Sequence, residues 1–475
     1  MQRIAFIDYA YHQTTRSAEF FVDLLRDRFD VTVYYDGIQS QSFVNDVMLA
    51  KFDIIVLWQT EYLAPYFIAA GKRVVCIPMY DGAGAAPNHY WHHMRQARHI
   101  NFSHRLHNHV CGLGLTSLPV QYMMNPADVT PVSDYSSARV VFWQRRPEHG
   151  LTAARIRRIV GPEASLHVHN APDIASPEQF PAHGANTVSH FDLDRNPLAD
   201  AMNEANVFVC PRMTEGIGMA MIEAMARGMV LIANDAPTHN EYIIDGLNGY
   251  LIDATTSDDP AWPLNLTTAE ETPAMRKRRR ARKKAIRRAR RAAEAAGTVW
   301  IGQPSATGTL ADDDDEWMLA GPAGTWPGQT DADLLAEQFA NEPAAVSPLE
   351  RMGPASRARA IELYEAWVRM QPAILDFIEE TPAPTGIRIS RAKLDFLARE
   401  TELWHRFPQV YIQNMAYWES SGIVLQDRQR LGRKGRKRIR QRRSWWFRGL
   451  RAAFHRLKAM RHSYRHLRNA IRRRL

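Results

Sequence analysis

Two glutamates with seven residues between them are the side chains of this sequence best placed to do chemistry. Glu215 follows the apolar run 207–210, which is typical of a short buried strand and is closed by Pro211. Glu223 lies in the segment 218–227, where apolar residues recur at helical spacing and Gly228 marks the end. Because seven intervening residues span about two helical turns, the two carboxylates can face one pocket, one from a loop and one from a helix.

The loop between the glutamates also offers groups that bind anions. Gly216 and Gly218, which flank Ile217, leave the backbone unshielded, so amides at the start of the helix can approach a diphosphate. The loop follows a strand, and open α/β sheets bind ligands at the carboxyl ends of their strands. An ordinary strand and helix with a glutamate favoured by the helix dipole would explain neither the glycines nor the second glutamate.

The segment E-G-I-G-M-A-M-I-E, followed by A-M-A-R-G, closely resembles the E-x7-E signature of retaining nucleotide-sugar glycosyltransferases of the family 4 type, which have the two-domain glycosyltransferase-B fold. The likeness continues through Glu241 to residue 253 and extends more loosely over residues 1–255. The resemblance implies that Glu215 is catalytic and contacts the donor sugar, and that Glu223 holds the nucleotide ribose. It also implies transfer from a nucleoside diphosphate with retained anomeric configuration, in which the nucleotide sugar is a co-substrate and no cofactor is needed.

A candidate diphosphate site follows the first strand of the second half. Residues 142–150 read F-W-Q-R-R-P-E-H-G, where the family usually places an arginine and a Lys-Gly pair. The resemblance implies that Arg145 or Arg146 supplies the first cation, while His149 replaces the lysine. A neutral histidine donates a single hydrogen bond, so we expect diphosphate binding to be weaker or to rely on both arginines. The alternative is that these arginines belong to a solvated loop.

The first half of the chain departs further from the family. Members of the family often have a glycine-rich loop after the first strand and a histidine after the fourth strand. Here the corresponding segments are D-Y-A-Y-H-Q at 8–13 and C-I-P-M-Y-D-G at 76–82. Tyr80 and Asp81 occupy the approximate place of that histidine, and either could orient the acceptor hydroxyl; we predict Asp81 for this role. The histidines that could act instead are His12, His89, His92, His93 and His104.

Short apolar runs alternate with helical segments, which predicts an α/β fold. We expect two Rossmann-like doubly wound domains that face each other across a cleft, an acceptor-side domain at 1–125 and a donor-binding domain at 138–253. The linker at 125–137 is rich in Pro, Asp and Ser. The predicted strands are 3–8, 31–35, 54–58, 73–77, 99–102 and 118–122, then 140–143, 166–169, 187–190, 207–210, 230–233 and 250–252.

The regular alternation of predicted strands and helices stops after residue 253. We interpret residues 254–330, which hold the basic run 276–291 and the acidic run 312–316, as an inserted low-complexity segment. Residues 331–425 are predicted to be a helical closing region with a strong helix at 355–379, which resembles a family helix that crosses back to the first domain. Residues 426–475 are predicted to be a basic helical extension.

The net charge of +9 conceals an uneven distribution, because segments 276–291 and 428–475 are rich in Lys and Arg and contain no acid, whereas the rest of the chain is acidic. The three cysteines lack paired spacing, which favours a reducing compartment. The first residues are typical of a strand rather than a signal peptide, and no apolar run is long enough to span a bilayer. We therefore expect a cytoplasmic protein.

The extension 426–475 carries an amphipathic pattern. Apolar residues recur at steps of three and four from Trp446 onward, while most arginines lie off that stripe, so the pattern predicts a basic amphipathic helix that binds an anionic membrane surface. A nucleic-acid-binding tail, a partner-binding helix and packing on the body are the alternatives. The predicted membrane contacts are Trp445, Trp446, Leu450, Phe454 and Leu457.

Two classes of function fit these observations. The favoured one is a peripheral enzyme on the inner face of the cell membrane that transfers sugar from a nucleotide donor to a saccharide or lipid-linked acceptor, in cell-surface polysaccharide synthesis. The other is a nucleic-acid-associated binding protein with a non-catalytic sugar-transferase-like fold. We predict no metal requirement, because Asp192 and Asp194, although spaced as a metal-binding D-x-D pair, lie where turn or helix-cap use is expected.

Overall fold

The computed structural model describes residues 1–35, 52–92, 94–173, 176–192, 194–253, 262–267 and 346–385. The extension 426–475 with its predicted membrane contacts, most of the segments 254–330 and 331–425, and His93 lie outside the described residues.

The first described part of the chain forms a parallel six-stranded sheet with the strand order β2-β1-β3-β4-β5-β6. All five residues of the third strand are buried, as expected of a parallel sheet covered on both faces, where strands are apolar throughout. The strands are β1 (Arg3–Asp8), β2 (Asp30–Tyr35), β3 (Ile54–Trp58), β4 (Arg73–Ile77), β5 (Arg98–Asn101) and β6 (Thr116–Pro119).

A second parallel six-stranded sheet has the order β12-β11-β10-β7-β8-β9. Its strands are β7 (Arg139–Trp143), β8 (Ser165–His169), β9 (Thr187–Ser189), β10 (Val207–Val209), β11 (Val230–Asn234) and β12 (Gly249–Ile252). The predicted α/β fold with two Rossmann-like units is therefore confirmed for the part of the chain that the structure describes.

Helices connect these strands. They are α1 (Ala10–Thr15), α2 (Glu19–Arg26), α3 (Ala64–Ala69), α4 (Tyr80–Ala83), α5 (Asn88–His92), α6 (His104–Gly112), α7 (Ala153–Val160), α8 (Pro197–Glu204), α9 (Met219–Arg227), α10 (His239–Tyr242) and α11 (Pro348–Glu379). Short 3-10 turns lie at Glu61–Leu63, Pro126–Asp128 and Pro147–His149.

The closing helix α11 begins seven residues earlier than the predicted start at residue 355. Ser347 and Glu350 form a capping box, in which the serine side chain accepts from the Glu350 N–H and the glutamate accepts from the Ser347 N–H. This cap starts the helix upstream of Pro354, which lies inside it. A proline normally indicates a boundary, so the sequence pattern placed the start too late.

The closing helix joins the two sheets. Near its start, the Arg351 guanidinium donates to the Gly246 carbonyl at 2.7 Å, beside the second sheet. Near its end, the Phe377 and Thr381 carbonyls accept from Arg98 and Arg73 of the first sheet. The helix thus holds both domains in one arrangement.

Strand order also defines where ligands are expected. In the first sheet the connections reverse direction between β1 and β3, and in the second between β7 and β10. Open α/β sheets bind ligands in the crevice at the carboxyl ends of such neighbouring strands. A ligand is therefore expected beside the loops after β1 and β3 and beside those after β7 and β10.

Candidate functional site

The loop between β10 and α9 holds the predicted catalytic glutamate. Glu215 is 7% exposed, and its N–H donates to the Pro237 carbonyl at 3.3 Å. Gly218, the N-cap of α9, has φ +80°, a left-handed conformation that strongly favours glycine. A Cβ at Gly218 would lie 3.6 Å from the Glu215 Cβ, so the turn is tight. Ile217, buried between the two glycines, anchors the loop to the core.

Four charged side chains act on the Glu215 carboxyl. Burial raises its pKa to about 7; the positive charges of Arg212 and Arg145 counter this rise, whereas the negative charges of Asp81 and Asp173 add to it. These groups come from the loops after β10, β7, β4 and β8, so the carboxyl ends of both sheets contribute. The carboxyl therefore changes its charge close to neutral pH.

Arg212 joins the two predicted catalytic carboxylates, although the sequence interpretation did not single it out. Its Nη1 lies 2.6 Å from Asp81 Oδ2 and 3.5 Å from Glu215 Oε2. Asp81 lies in the first turn of α4, just after β4, so this contact crosses from the first domain to the second. The sequence signal that could have identified Arg212 is its position three residues before Glu215, the first glutamate of the motif.

Gly216 marks a close approach between the domains. A Cβ at this position would lie 2.9 Å from both Asp81 Oδ1 and Met79 Cβ. Met79 and Asp81 belong to the segment that follows β4, so the loop of the second domain packs directly against it. The glycine is required here for space rather than for an unusual φ.

We expect Gly216→Ala to lower the turnover number by roughly tenfold or more, because the added methyl group displaces Asp81 and with it Arg212. Steady-state kinetics with a nucleotide sugar would measure this effect. Gly82→Ala is the matched control, since a Cβ at Gly82 meets nothing within 4 Å. Equal activity in the two variants would contradict the close approach.

The three predicted diphosphate contacts lie beside two carboxylates, Asp173 and Glu148, and Arg146 Nη1 is 3.9 Å from Asp173 Oδ2. Arg145 Nε donates to both oxygens of Asp173 at 3.0 Å, and its guanidinium carbon lies 4.7 Å from the centre of the Trp143 ring. Arg146 Nε donates to Glu148 Oε1 at 2.5 Å. His149 is half exposed, with Nε2 4.0 Å from Glu148 Oε1. Arg145 is thus the member of this group whose charge reaches Glu215.

Asp173, the partner of Arg145, is the second residue that the sequence interpretation missed. It lies in a loop after β8 that carries no recognisable motif, so its pairing with Arg145 depends on a contact that no local pattern reports.

Glu223 points toward a different partner. Its Oε1 accepts hydrogen bonds from Arg227 Nε at 3.0 Å and from Arg227 Nη2 at 2.7 Å. The same arginine donates to Asn203 of α8 at 2.8 Å. Glu223 Oε2 makes no hydrogen bond with the described residues, and the side chain is one-third exposed. The structure therefore places Glu223 outside the cluster around Glu215.

The downstream Glu241 serves the packing of the two domains. Its buried carboxyl accepts from Ser103 Oγ at 2.9 Å and from the N–H groups of His104 and Arg105 at 2.9 and 3.2 Å. Burial raises its pKa to about 7, and these hydrogen bonds oppose that rise. Glu241 thus caps α6 of the first domain from the second. Ser103 also caps α6, accepting from the Leu106 N–H.

The remaining candidates have structural surroundings. Asp192 Oδ1 accepts from the Asp194 N–H at 2.9 Å, which forms a turn. Asn196, rather than either aspartate, caps α8. His104 begins α6 and is buried, which lowers its pKa well below the usual value. His12 is buried against Asp8 at the carboxyl end of β1.

Comparison with known proteins gives a family match for part of this site. Residues 182–288 match the family model described as Glycosyl transferases group 1. Alpha-maltose-1-phosphate synthase from Mycolicibacterium smegmatis is 31% identical over 77 residues, which are 16% of this chain and 20% of that protein. The protein of the same name from Mycobacterium tuberculosis H37Rv is 32% identical over 72 residues, 15% of this chain and 19% of that protein. The chain spans about a fifth of the length of the curated relatives it matches.

Two solved structures align with most of this chain. Sucrose-phosphate synthase from Thermosynechococcus elongatus aligns with a TM-score of 0.47 and 12% identity, over 80% of this chain and 100% of that chain. Anabaena HepE in complex with UDP and glucose aligns with a TM-score of 0.44 and 10% identity, over 79% of this chain and 100% of that chain. The match at residues 182–288, which include Glu215, Gly216, Gly218 and Glu223, shows that the chain carries a domain of the glycosyl transferases group 1 family.

Proposed function

We propose that the chain is a retaining glycosyltransferase that moves a sugar from a nucleoside diphosphate to a saccharide or lipid-linked acceptor, in cell-surface polysaccharide synthesis. The observation that carries the proposal is the position of Glu215. It is buried where the strand order of the second sheet reverses, it lies in the glycine-containing loop that leads into α9, and the charges of Arg212 and Arg145 act on it. The group 1 domain over the same residues supports the reaction class.

In this proposal the donor lies along the loops after β7 and β10. Arg145, Arg146 and the N-terminal amides of α9 bind the diphosphate, whose negative charge grows as it leaves. Glu215 accepts hydrogen bonds from hydroxyls of the donor sugar. Glu223 Oε2, which the described residues leave unbonded, accepts from the ribose. His149, half exposed beside Glu148, adds one outer hydrogen bond to the diphosphate.

The acceptor approaches from the first domain, where Asp81 orients its hydroxyl and Arg212 fixes the Asp81 carboxylate. The bond between the anomeric carbon and the phosphate oxygen breaks, and a bond to the acceptor oxygen forms on the same face. The acceptor proton passes to the departing phosphate oxygen, so no strong protein base is required. The proposal includes neither a cofactor nor a metal, and turnover should persist in a chelator.

A screen of nucleotide sugars tests the proposal. The full chain is mixed with each compound, and its melting temperature is measured. We expect a nucleoside diphosphate sugar to raise that temperature. Proton NMR of the first sugar released should then show the anomeric configuration of the donor. No stabilisation by any nucleotide sugar would exclude donor binding, and an inverted anomer would exclude retention.

We further propose that the enzyme works at the inner face of the cell membrane, held there by the extension 426–475. Among the described residues, no helix is long and apolar enough to cross a membrane. Support comes from the sequence, in which an apolar stripe and an arginine-rich face share one helical period. Each Lys or Arg close to an anionic bilayer contributes about 1 kcal/mol, so a few of them added to buried Trp, Phe and Leu side chains are sufficient for binding.

Leu450→Asp together with Leu457→Asp should abolish co-sedimentation with anionic liposomes, because two charges enter the apolar stripe. Truncation after Gln426 should have the same effect while donor binding persists. His455→Asp together with His462→Asp is the matched control, since it adds the same charge away from the stripe. Nucleic-acid binding that survives the leucine changes, without affinity for liposomes, would contradict membrane docking and favour the nucleic-acid-associated alternative.

A further inference from the structure

An aromatic surface lies where the strand order of the first sheet reverses. The Tyr11 residue, which follows β1, is 56% exposed. Its ring stacks on that of Tyr9, with centres 5.7 Å apart and planes at 20°, and the His12 ring meets it edge-on at 4.1 Å. Half-buried Tyr9 and buried His12 thus hold an open aromatic ring in place. The site described above uses none of these three residues.

Gln59, at the end of β3, adds a backbone feature to this surface. Its φ of +54° lies in the left-handed region, which is uncommon for a residue other than glycine. Its N–H donates to the Ile77 carbonyl at 3.0 Å, and its side-chain Oε1 accepts from the Tyr11 hydroxyl at 3.4 Å. The described residues leave its amide NH2 unbonded. Such backbone conformations concentrate at ligand sites.

A buried pair supplies a second polar group. His12 Nδ1 lies 2.5 Å from Asp8 Oδ1, and Asp8 is fully buried. Because Nδ1 is paired with the aspartate, Nε2 is the ring nitrogen that remains for a ligand. Nε2 makes no hydrogen bond with the described residues. An amide donor and an imidazole nitrogen therefore flank the Tyr11 ring.

This surface adjoins the donor cluster. The pKa of the Tyr11 hydroxyl rises to about 12, first through burial, and the charges of Asp8, Asp81, Arg145 and Arg212 all act on it. Three of those four charges belong to the candidate site around Glu215. The Tyr11 side chain of the first domain is therefore within electrostatic reach of that site.

We propose that Tyr11, with His12 and Gln59 at its edge, is the acceptor subsite and binds a pyranose ring stacked on the tyrosine. One face of a pyranose presents C–H groups that pack on an aromatic ring, while its edge presents hydroxyls, which can donate and accept and so match an amide donor and an imidazole nitrogen. The inference rests on the proposed function and deepens it, because it requires a saccharide at the accepting end, whether free or lipid-linked.

Ligand-detected NMR on the full chain tests this subsite with methyl α-D-glucopyranoside, methyl α-D-mannopyranoside and methyl β-D-galactopyranoside as probes. We expect saturation transfer to the ring C–H protons of at least one probe. Tyr11→Ala should weaken that binding by about tenfold, whereas Tyr11→Phe should retain it. Phe191→Ala is the matched control, because Phe191 is 73% exposed but follows β9 at the edge of the other sheet.

Nucleoside diphosphate affinity, measured on the same variants, separates this inference from the proposed function. Unchanged nucleotide binding with lost pyranoside binding in Tyr11→Ala supports an acceptor subsite. Lost nucleotide binding in that variant would assign the surface to the donor, and unchanged pyranoside binding, or no pyranoside binding by the wild type, would overturn the inference. Absence of nucleotide binding in the wild type would contradict the proposed function instead.

Discussion

Replacing Glu215 with Gln is expected to lower the turnover number by roughly 100- to 1000-fold, the usual effect of removing one preorganised polar group from a reaction centre. The change keeps the shape of the side chain but removes the charge that Arg212 and Arg145 face. Affinity for the free nucleoside diphosphate should stay within about twofold, because the arginines and the amides of α9 remain. Steady-state kinetics and calorimetric titration of the nucleotide would measure the two effects.

Two further variants test this prediction, one as a control and one with the opposite expected effect. Glu204→Gln changes an exposed glutamate at the end of α8 and should leave both quantities unchanged. Glu223→Ala should do the reverse of Glu215→Gln, weakening nucleotide affinity with less effect on turnover. Full activity in both motif variants would remove the donor assignment from the two glutamates.

Much of the fold could be predicted because strands of a parallel sheet are apolar on both faces. The predicted bounds of β1, β3 and β4 agree with the structure at every residue, since each run is bounded by polar or turn-forming residues. Helix α1 was missed, because six residues with one tyrosine, a histidine, a glutamine and two threonines carry no clear helical period. Its buried His12 side chain pairs with Asp8 of β1, a contact that the local pattern does not show.

The candidate site, like the fold, could be predicted from the sequence only in part. Glu215, Gly216 and Gly218 form a local motif, so their spacing alone indicated an anion-binding loop. Arg212 and Asp81 are 131 positions apart, and their pairing exists only after both sheets have formed. The left-handed backbone of Gln59 likewise follows from packing at the end of β3, since glutamine has no local preference for it.

Glu241 shows the limit of reasoning from a motif. The resemblance included it, yet the structure uses its carboxylate to satisfy the N-terminal amides of α6 in the other domain. A residue can thus accompany a donor motif in sequence because it positions the two domains.

Arg212→Met is expected to move the pH dependence of turnover toward alkaline pH. Burial already raises the pKa of Glu215 to about 7, and Arg212 is the largest of the charges that oppose this rise. Glu215 in the proposed mechanism accepts hydrogen bonds as a carboxylate, so activity falls as pH falls through that pKa. Without Arg212 the carboxyl holds its proton to higher pH, and below the new pKa the ionised fraction falls about tenfold for every further drop of one in pH.

The direction of this change distinguishes an electrostatic role from a structural one. Asp81→Asn removes a negative charge that raises the pKa of Glu215, so its acid limb should move toward lower pH, opposite to that of Arg212→Met. Arg145 and Asp173, the other charges that act on Glu215, are unchanged in both variants. Arg212→Lys should restore most of the wild-type profile, because it keeps the charge and loses only the fork geometry. Identical limbs in Arg212→Met and the wild type, or activity that rises as pH falls through 7, would contradict a catalytic carboxylate held by Arg212.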